Sequence, residues 1–146
     1  MRPPMKWNFN DGGRAEAGFR GPARDCVTRA IAIATAKPYR EVYDALNALA
    51  ITERITKRKR KKSSSREGVF RETYSRYLQS LGWRWVPTMS IGSGCRVHLR
   101  ASELPRGTLI VRVSRHLTTV IDGELHDTHN CSRGGMRCVY GYFTRS

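Results

Sequence analysis

The stretch 27–35 (Val-Thr-Arg-Ala-Ile-Ala-Ile-Ala-Thr) constrains this chain more than any other. Val27, Ala30, Ile31 and Ala34 recur at helical spacing and form one apolar face. Ala32 and Ile33 carry apolarity around the back. A helix that is apolar nearly all round has no solvent face, so the rest of the chain must wrap it. Asp25 stands where an N-cap residue is preferred, which predicts Cys26 in the first helical turn. Lys37-Pro38 ends the helix.

Pro38 also suits the first turn of a second helix, where its missing N–H is not needed. Tyr39, Val42, Tyr43, Leu46 and Leu49 give that helix an amphipathic stripe, so the two read as a helical hairpin. Helix resumes near Gly68. Val69, Phe70, Thr73, Tyr74, Tyr77, Leu78 and Leu81 line one side, and Gly82 supplies the stop. The pattern then changes to strand. Trp83-Arg-Trp-Val86 alternates, residues 88–95 form a loop, and 97–104 hold a short helical turn. Residues 108–113 and 117–121 are strands, and Asp122-Gly123 is a two-residue hairpin signal leading into a returning strand over 124–128. Residues 137–143 make the last strand. Helices first and then a mostly antiparallel sheet predict an α+β fold. Residues 1–146 suit one domain, with an irregular N-terminal arm over 1–24 and a mobile basic loop over 55–67.

Charge narrows the partners. Lys and Arg number 27 against 12 Asp and Glu, a net +15. Six of these cations are consecutive: Lys57, Arg58, Lys59, Arg60, Lys61 and Lys62. The remainder of the chain is basic as well. Such a surface favours nucleic acid or an acidic protein, or simply keeps the protein in solution. The run also admits a nuclear-localisation reading. No run of apolar residues is long enough for a membrane span, and the N-terminus lacks the apolar stretch of a secretion signal. These features predict a soluble, cytoplasmic protein. In that setting Cys26, Cys95, Cys131 and Cys138 are expected as free thiols rather than a disulfide framework.

Three positions carry candidate chemistry. A thiol at a helix N-terminus sits in a positive field that favours thiolate, which points to Cys26. His116 begins a strand, and Asp127 follows 11 residues later across the Asp122-Gly123 turn. That turn predicts position 116 near 129 and 118 near 127, which sets Asp127 one diagonal step from His116. A carboxylate on an imidazole fixes its tautomer and stabilises its charged form. The bland alternatives are a buried structural thiol at Cys26 and a strand-end histidine at 116. A zinc set of His126, His129, Cys131 and Cys138 has suitable ligand types. However, His126 and His129 on one strand would point to opposite faces, so no metal or cofactor is expected. Cys95 reads as a loop-packing residue.

The order Cys, His, Asp resembles the papain-like cysteine peptidases. The matching segments are Asp25-Cys-Val-Thr-Arg-Ala30 and Ser114-Arg-His-Leu-Thr-Thr-Val-Ile-Asp-Gly-Glu-Leu-His-Asp127. The compact form looks most like the bacteriocin-processing branch, and like small phage and bacterial proteins of that fold. The resemblance implies a papain-like fold, a peptide or protein substrate, and a hydrolase, isopeptidase or acyl transferase with Cys26 as nucleophile. The family usually places an oxyanion Gln several residues before the Cys. No Gln precedes Cys26, and the sixth residue back is Arg20. Asn8, Asn10 and Arg20 are the candidate donors in its place, beside the Cys26 backbone N–H. The alternative is a non-catalytic basic module on the same scaffold.

Overall fold

A computed structural model describes residues 5–57 and 60–145. The elements are β1 (Trp7–Phe9), α1 (Cys26–Thr35), α2 (Tyr39–Ala50), α3 (Arg71–Ser80), β2 (Arg84–Pro87), a short 3-10 turn (Ala101–Glu103), β3 (Thr108–Val113), β4 (His116–Ile121), β5 (Glu124–Asp127) and β6 (Gly141–Thr144). The fold is α+β. Its six strands form one sheet in the order β1-β5-β4-β3-β6-β2. Among the described residues no helix is long and apolar enough to cross a membrane.

The sheet is mostly antiparallel, as expected, but mixed, because an N-terminal strand joins it. β1 lies at its edge and runs parallel to β5, with Asn8 opposite His126. The arm expected to be irregular therefore contributes a strand. Trp7 and Phe9 are exposed while Asn8 is half-buried. A three-residue strand of that kind has no alternating apolar signature to read.

Apolar residues alternate on the strands and build a core on each face. Ile110, Leu117 and Phe143 pack against Ile31, Val42, Leu46 and Leu78 of the helices. Leu109, Val111, Val113, Val120 and Leu125 face the other way, onto Leu99, Leu104 and Val139. Fully burying each such side chain is worth about 1.5–3 kcal/mol. α1 lies across β4, where the Thr119 hydroxyl donates to the Ala30 carbonyl at 2.7 Å.

The second face is covered by loops, and this overturns the free-thiol expectation for two of the four cysteines, while Cys26 and Cys131 are free. Cys95 and Cys138 form a disulfide with a Cα–Cα distance of 5.8 Å. Cys95 is thus a covalent tie rather than a packing residue. The pairing spans 43 residues, so only the tertiary fold brings the two together. Next to it the Leu99 and Val139 amides bond the Arg137 and Val97 carbonyls. Residues 137–139 are spent on that link, which is why the last strand is shorter than expected.

The loop over 55–67 is also tied down at its C-terminal end, contrary to expectation. Ser63 and Ser65 are buried. The Ser63 amide bonds Glu53 at 2.5 Å, and the Ser65 amide bonds Asn47 at 2.9 Å. The Thr28 hydroxyl donates to the Ser65 carbonyl at 2.8 Å, linking the loop to α1. Lys57, Arg60, Lys61 and Lys62 are exposed, whereas Arg58 and Lys59 lie outside the described residues.

One glycine is required by packing. A Cβ on Gly141 would lie inside the Trp85 indole and 2.8 Å from the Val86 carbonyl oxygen. Gly141→Ala should therefore lower the urea midpoint by the equivalent of about 1–3 kcal/mol, the usual cost of overpacking.

Candidate active site

Cys26 is the first residue of α1. The first-turn N–H groups of a helix have no intrahelical acceptor and point at whatever lies before it. Asp25 precedes it but does not cap the helix with its side chain. Its carboxylate is instead buried and turned to other partners: Arg29, the Tyr39 hydroxyl at 2.5 Å, and Arg14 Nε at 3.5 Å.

His116 opens β4, directly after the Ser114-Arg115 turn, where Arg115 has φ 56°. Asp127 closes β5. Thr119 pairs with His126 and Val120 with Leu125, which is the register expected from the Asp122-Gly123 turn. Both turn residues have positive φ, 48° and 79°. His116 Nε2 lies 2.7 Å from Asp127 Oδ2. The same oxygen accepts from the Thr118 hydroxyl at 2.7 Å, and Oδ1 accepts from the Thr128 amide at 2.7 Å. Arg29 Nη2 stands 3.5 Å from Oδ1.

These contacts set the charge states. Burial alone would raise the Asp127 carboxyl. The His116 hydrogen bond and charge, with Thr118 and Thr128, outweigh it and hold Asp127 well below the usual carboxylate range. Burial alone would discharge His116. Hydrogen bonds to Asp127, Cys131 and Cys26 prevail and push it up to about 11. Burial likewise works against a Cys26 thiolate. Its hydrogen bond to His116, the His116 charge, the Leu117 amide and Arg29 together lower its pKa below the ordinary 9.0. A lowered thiol beside a raised imidazole gives a thiolate–imidazolium pair over the interval between the two values.

The structure thus brings Cys26, His116 and Asp127 together. It does not bring the expected oxyanion donors to them. The Asn8 amide donates to Glu124 at 3.1 Å and to the Leu125 carbonyl. Asn10 caps its own turn by accepting from the Gly12 amide at 2.9 Å. Arg20 is exposed. None of the three lines the cavity in front of Cys26. The pairing of β1 with β5 turns the Asn8 amide to Glu124 and Leu125, and a local turn takes the Asn10 side chain.

Arg29 escaped the sequence reading, and Cys131 and His129 entered it only as part of a zinc set. Arg29 bridges Asp25 and Asp127 beneath the site. A lone charge in an otherwise apolar helix, four residues after an aspartate, was the available signal. Buried Cys131 places its sulfur 3.7 Å from Asp127 Oδ2. The His129 ring lies 5.1 Å from the His116 ring. Donor atoms of His116, Asp127 and Cys131 all lie within 4.8 Å of one another, so these three are the residues that could hold a metal ion. Cys138, from the zinc set considered above, has its sulfur in the disulfide.

Cys26 and His116 open onto a cavity of about 640 Å³. Its walls include Val69, Phe70 and Tyr74, together with Arg24, Arg71 and Arg112. The arrangement combines a charged thiol, a protonated imidazole and a substrate-sized space. No family model matches the chain, and neither a curated protein nor a solved structure matches it.

Proposed function

We propose that the protein is a cysteine hydrolase of papain-like type, acting on an amide, isopeptide or thioester of a peptide or protein. The observation that carries this reading is His116, held by Asp127 at 2.7 Å and lining one cavity with the Cys26 thiol, whose pKa it lowers. The Cys26 sulfur attacks the carbonyl carbon and a C–S bond forms. The C–N, or C–S, bond to the leaving group breaks, and His116 supplies its proton. Water then attacks the thioester, with His116 taking a proton, and the acid departs as Cys26 is restored. The Cys26 N–H at the start of α1 is the oxyanion donor supported by this geometry. Asp127 orients His116 and stabilises its positive charge.

Iodoacetamide at neutral pH tests the reading, with the modified site found by peptide mass spectrometry. Wild-type protein should be carboxamidomethylated at Cys26, and Cys26→Ala should lose that label while the buried Cys131 stays unmodified. Equal labelling of the two proteins would refute the assignment.

A second reading rests on exposed Lys57, Arg60, Lys61 and Lys62, which suit a nucleic-acid or acidic-protein contact. The two are compatible, with the basic segment recruiting the enzyme. Cytoplasmic action belongs to the same reading, and the Cys95–Cys138 disulfide is the feature that favours an oxidising setting instead.

A further inference from the structure

The cavity in front of Cys26 has a charge pattern that thiol chemistry by itself does not need. Arg24, Arg71, Arg112 and Arg115 all line it. The carboxylates in its wall are Asp25 and Glu67. Asp25 is committed to Arg29, Arg14 and Tyr39, and Glu67 faces Arg66 at 3.6 Å. Arg29, the fifth arginine of the lining, is paired with Asp25 and Asp127, and among the described residues no carboxylate pairs with the other four.

Two of them are held in place. Arg112 lies on β3 between Val111 and Val113, which face the opposite core, so it projects to the helix side. Its guanidinium stands 5.9 Å from the Tyr140 ring. The Arg71 guanidinium stacks over Trp85 at 5.0 Å. Tyr74, in the cavity wall, connects them to the nucleophile. Burial raises its phenol, Arg112 and Arg71 oppose that rise, and the Cys26 charge adds to it. All three groups therefore lie within electrostatic range of one wall residue.

An anion is what such a cavity recognises. In the hydrolase reading the Cys26 thiolate attacks an acyl carbon, and a nucleic-acid backbone offers none. The anion is then carried by the acyl substrate itself. On a peptide an Asp or Glu side chain is such a group, as is a C-terminal carboxylate, and only the side chain can stand on the acyl side of the scissile bond.

We propose that the cavity selects acidic peptides, with Arg71 and Arg112 binding a substrate carboxylate beside the scissile carbonyl. This rests on the thiol-hydrolase reading of Cys26. A pocket of about 640 Å³ has room for the acyl residue and a neighbouring side chain. Part of the chain's basic excess is thereby a specificity device rather than a solvated surface.

The test compares acetyl-Glu and acetyl-Gln chloromethylketones, which differ only in charge. Each alkylates the thiolate, forming C–S and expelling chloride. Rates at Cys26 are divided by those for glutathione, and iodoacetamide labelling is followed in parallel. At low salt the Glu probe should react about fivefold faster, the preference expected from partly exposed charges. The advantage should shrink as salt is raised. Arg112→Gln and Arg71→Gln should each reduce it. Should Arg112→Gln fold poorly, the exposed Arg71→Gln still decides. A Glu/Gln ratio equal to that of glutathione, with Cys26 labelled by iodoacetamide, would overturn this inference alone. A ratio that persists in both variants would also overturn it. Absence of iodoacetamide labelling at Cys26 would bring down the thiol-hydrolase reading and this inference with it.

Discussion

Asp127→Asn should slow alkylation of Cys26 at mildly acidic pH by about tenfold or more, because the imidazolium that lowers the Cys26 pKa is lost and burial then raises it, a rise of one pH unit being a factor of about ten in thiolate. In the native site the Asp127 charge keeps His116 protonated up to about 11, and that cation keeps the Cys26 pKa low. An amide at 127 keeps the shape but removes the charge. Burial then dominates at His116 and favours neutral imidazole. The sign follows directly. Wild-type reactivity should persist as pH falls below the range of a free thiol, and in Asp127→Asn it should fall tenfold per pH unit there. Rates of iodoacetamide alkylation across pH measure the shift. An unchanged profile would show that Asp127 does not govern the pair. The same charge also contributes to stability. The depressed Asp127 carboxyl adds stability that is present above its unfolded value near pH 3.8 and is lost as pH falls below it.

The second large effect is on folding. Asp25→Asn should lower the free energy of unfolding by about 3–5 kcal/mol, the cost of removing one partner from a buried ion pair. Asp25 is 2% exposed and holds Arg29, Tyr39 and Arg14 at once. Without its charge, Arg29 keeps only Asp127 at 3.5 Å. The Arg29 side chain is only 11% exposed, so water replaces the lost carboxylate in part. Urea unfolding should show a lower midpoint with an unchanged slope. A change below about 1 kcal/mol would mean that the network is solvated and that α1 is anchored by its apolar face alone.

The Asp25→Asn protein also separates two roles of α1. Its apolar face is pressed on β4, and its polar first turn is pinned by the Asp25–Arg29–Asp127 chain. A variant that is destabilised but still alkylated at low pH would assign Asp25 to anchoring. Loss of both would tie the anchor to the chemistry. Tyr39 reports on the same network, since burial and the Asp25 hydrogen bond hold its phenol well above the usual range.

Much of the site was written locally, and locality explains why it was legible. The start of α1 at Cys26 follows from an Ala- and Ile-rich run, and its end from Lys37-Pro38. The β4–β5 register follows from one Asp-Gly turn, and that register sets the distance between His116 and Asp127. Each depends on residues a few positions apart, where propensity and hydrogen-bond geometry decide. What lay beyond reach depends on distant residues meeting. β1 joins β5 across more than a hundred positions, and its three residues carry no periodic pattern. Cys95 meets Cys138 because two loops cover the same sheet face. Asn8 lost its expected role because β5 brings Glu124 and Leu125 to its amide, whereas Asn10 is taken by its own turn.

The sequence by itself determined the helix that presents Cys26 and the hairpin that pairs His116 with Asp127, since both follow from short-range rules. Only the tertiary structure decided the charge state of that site. It did so by burying the three groups, by setting the Cys26 thiol against His116, and by placing Arg29 beside Cys26 and Asp127. Desolvation and charge pairing act through space, and a linear order of residues does not contain those distances.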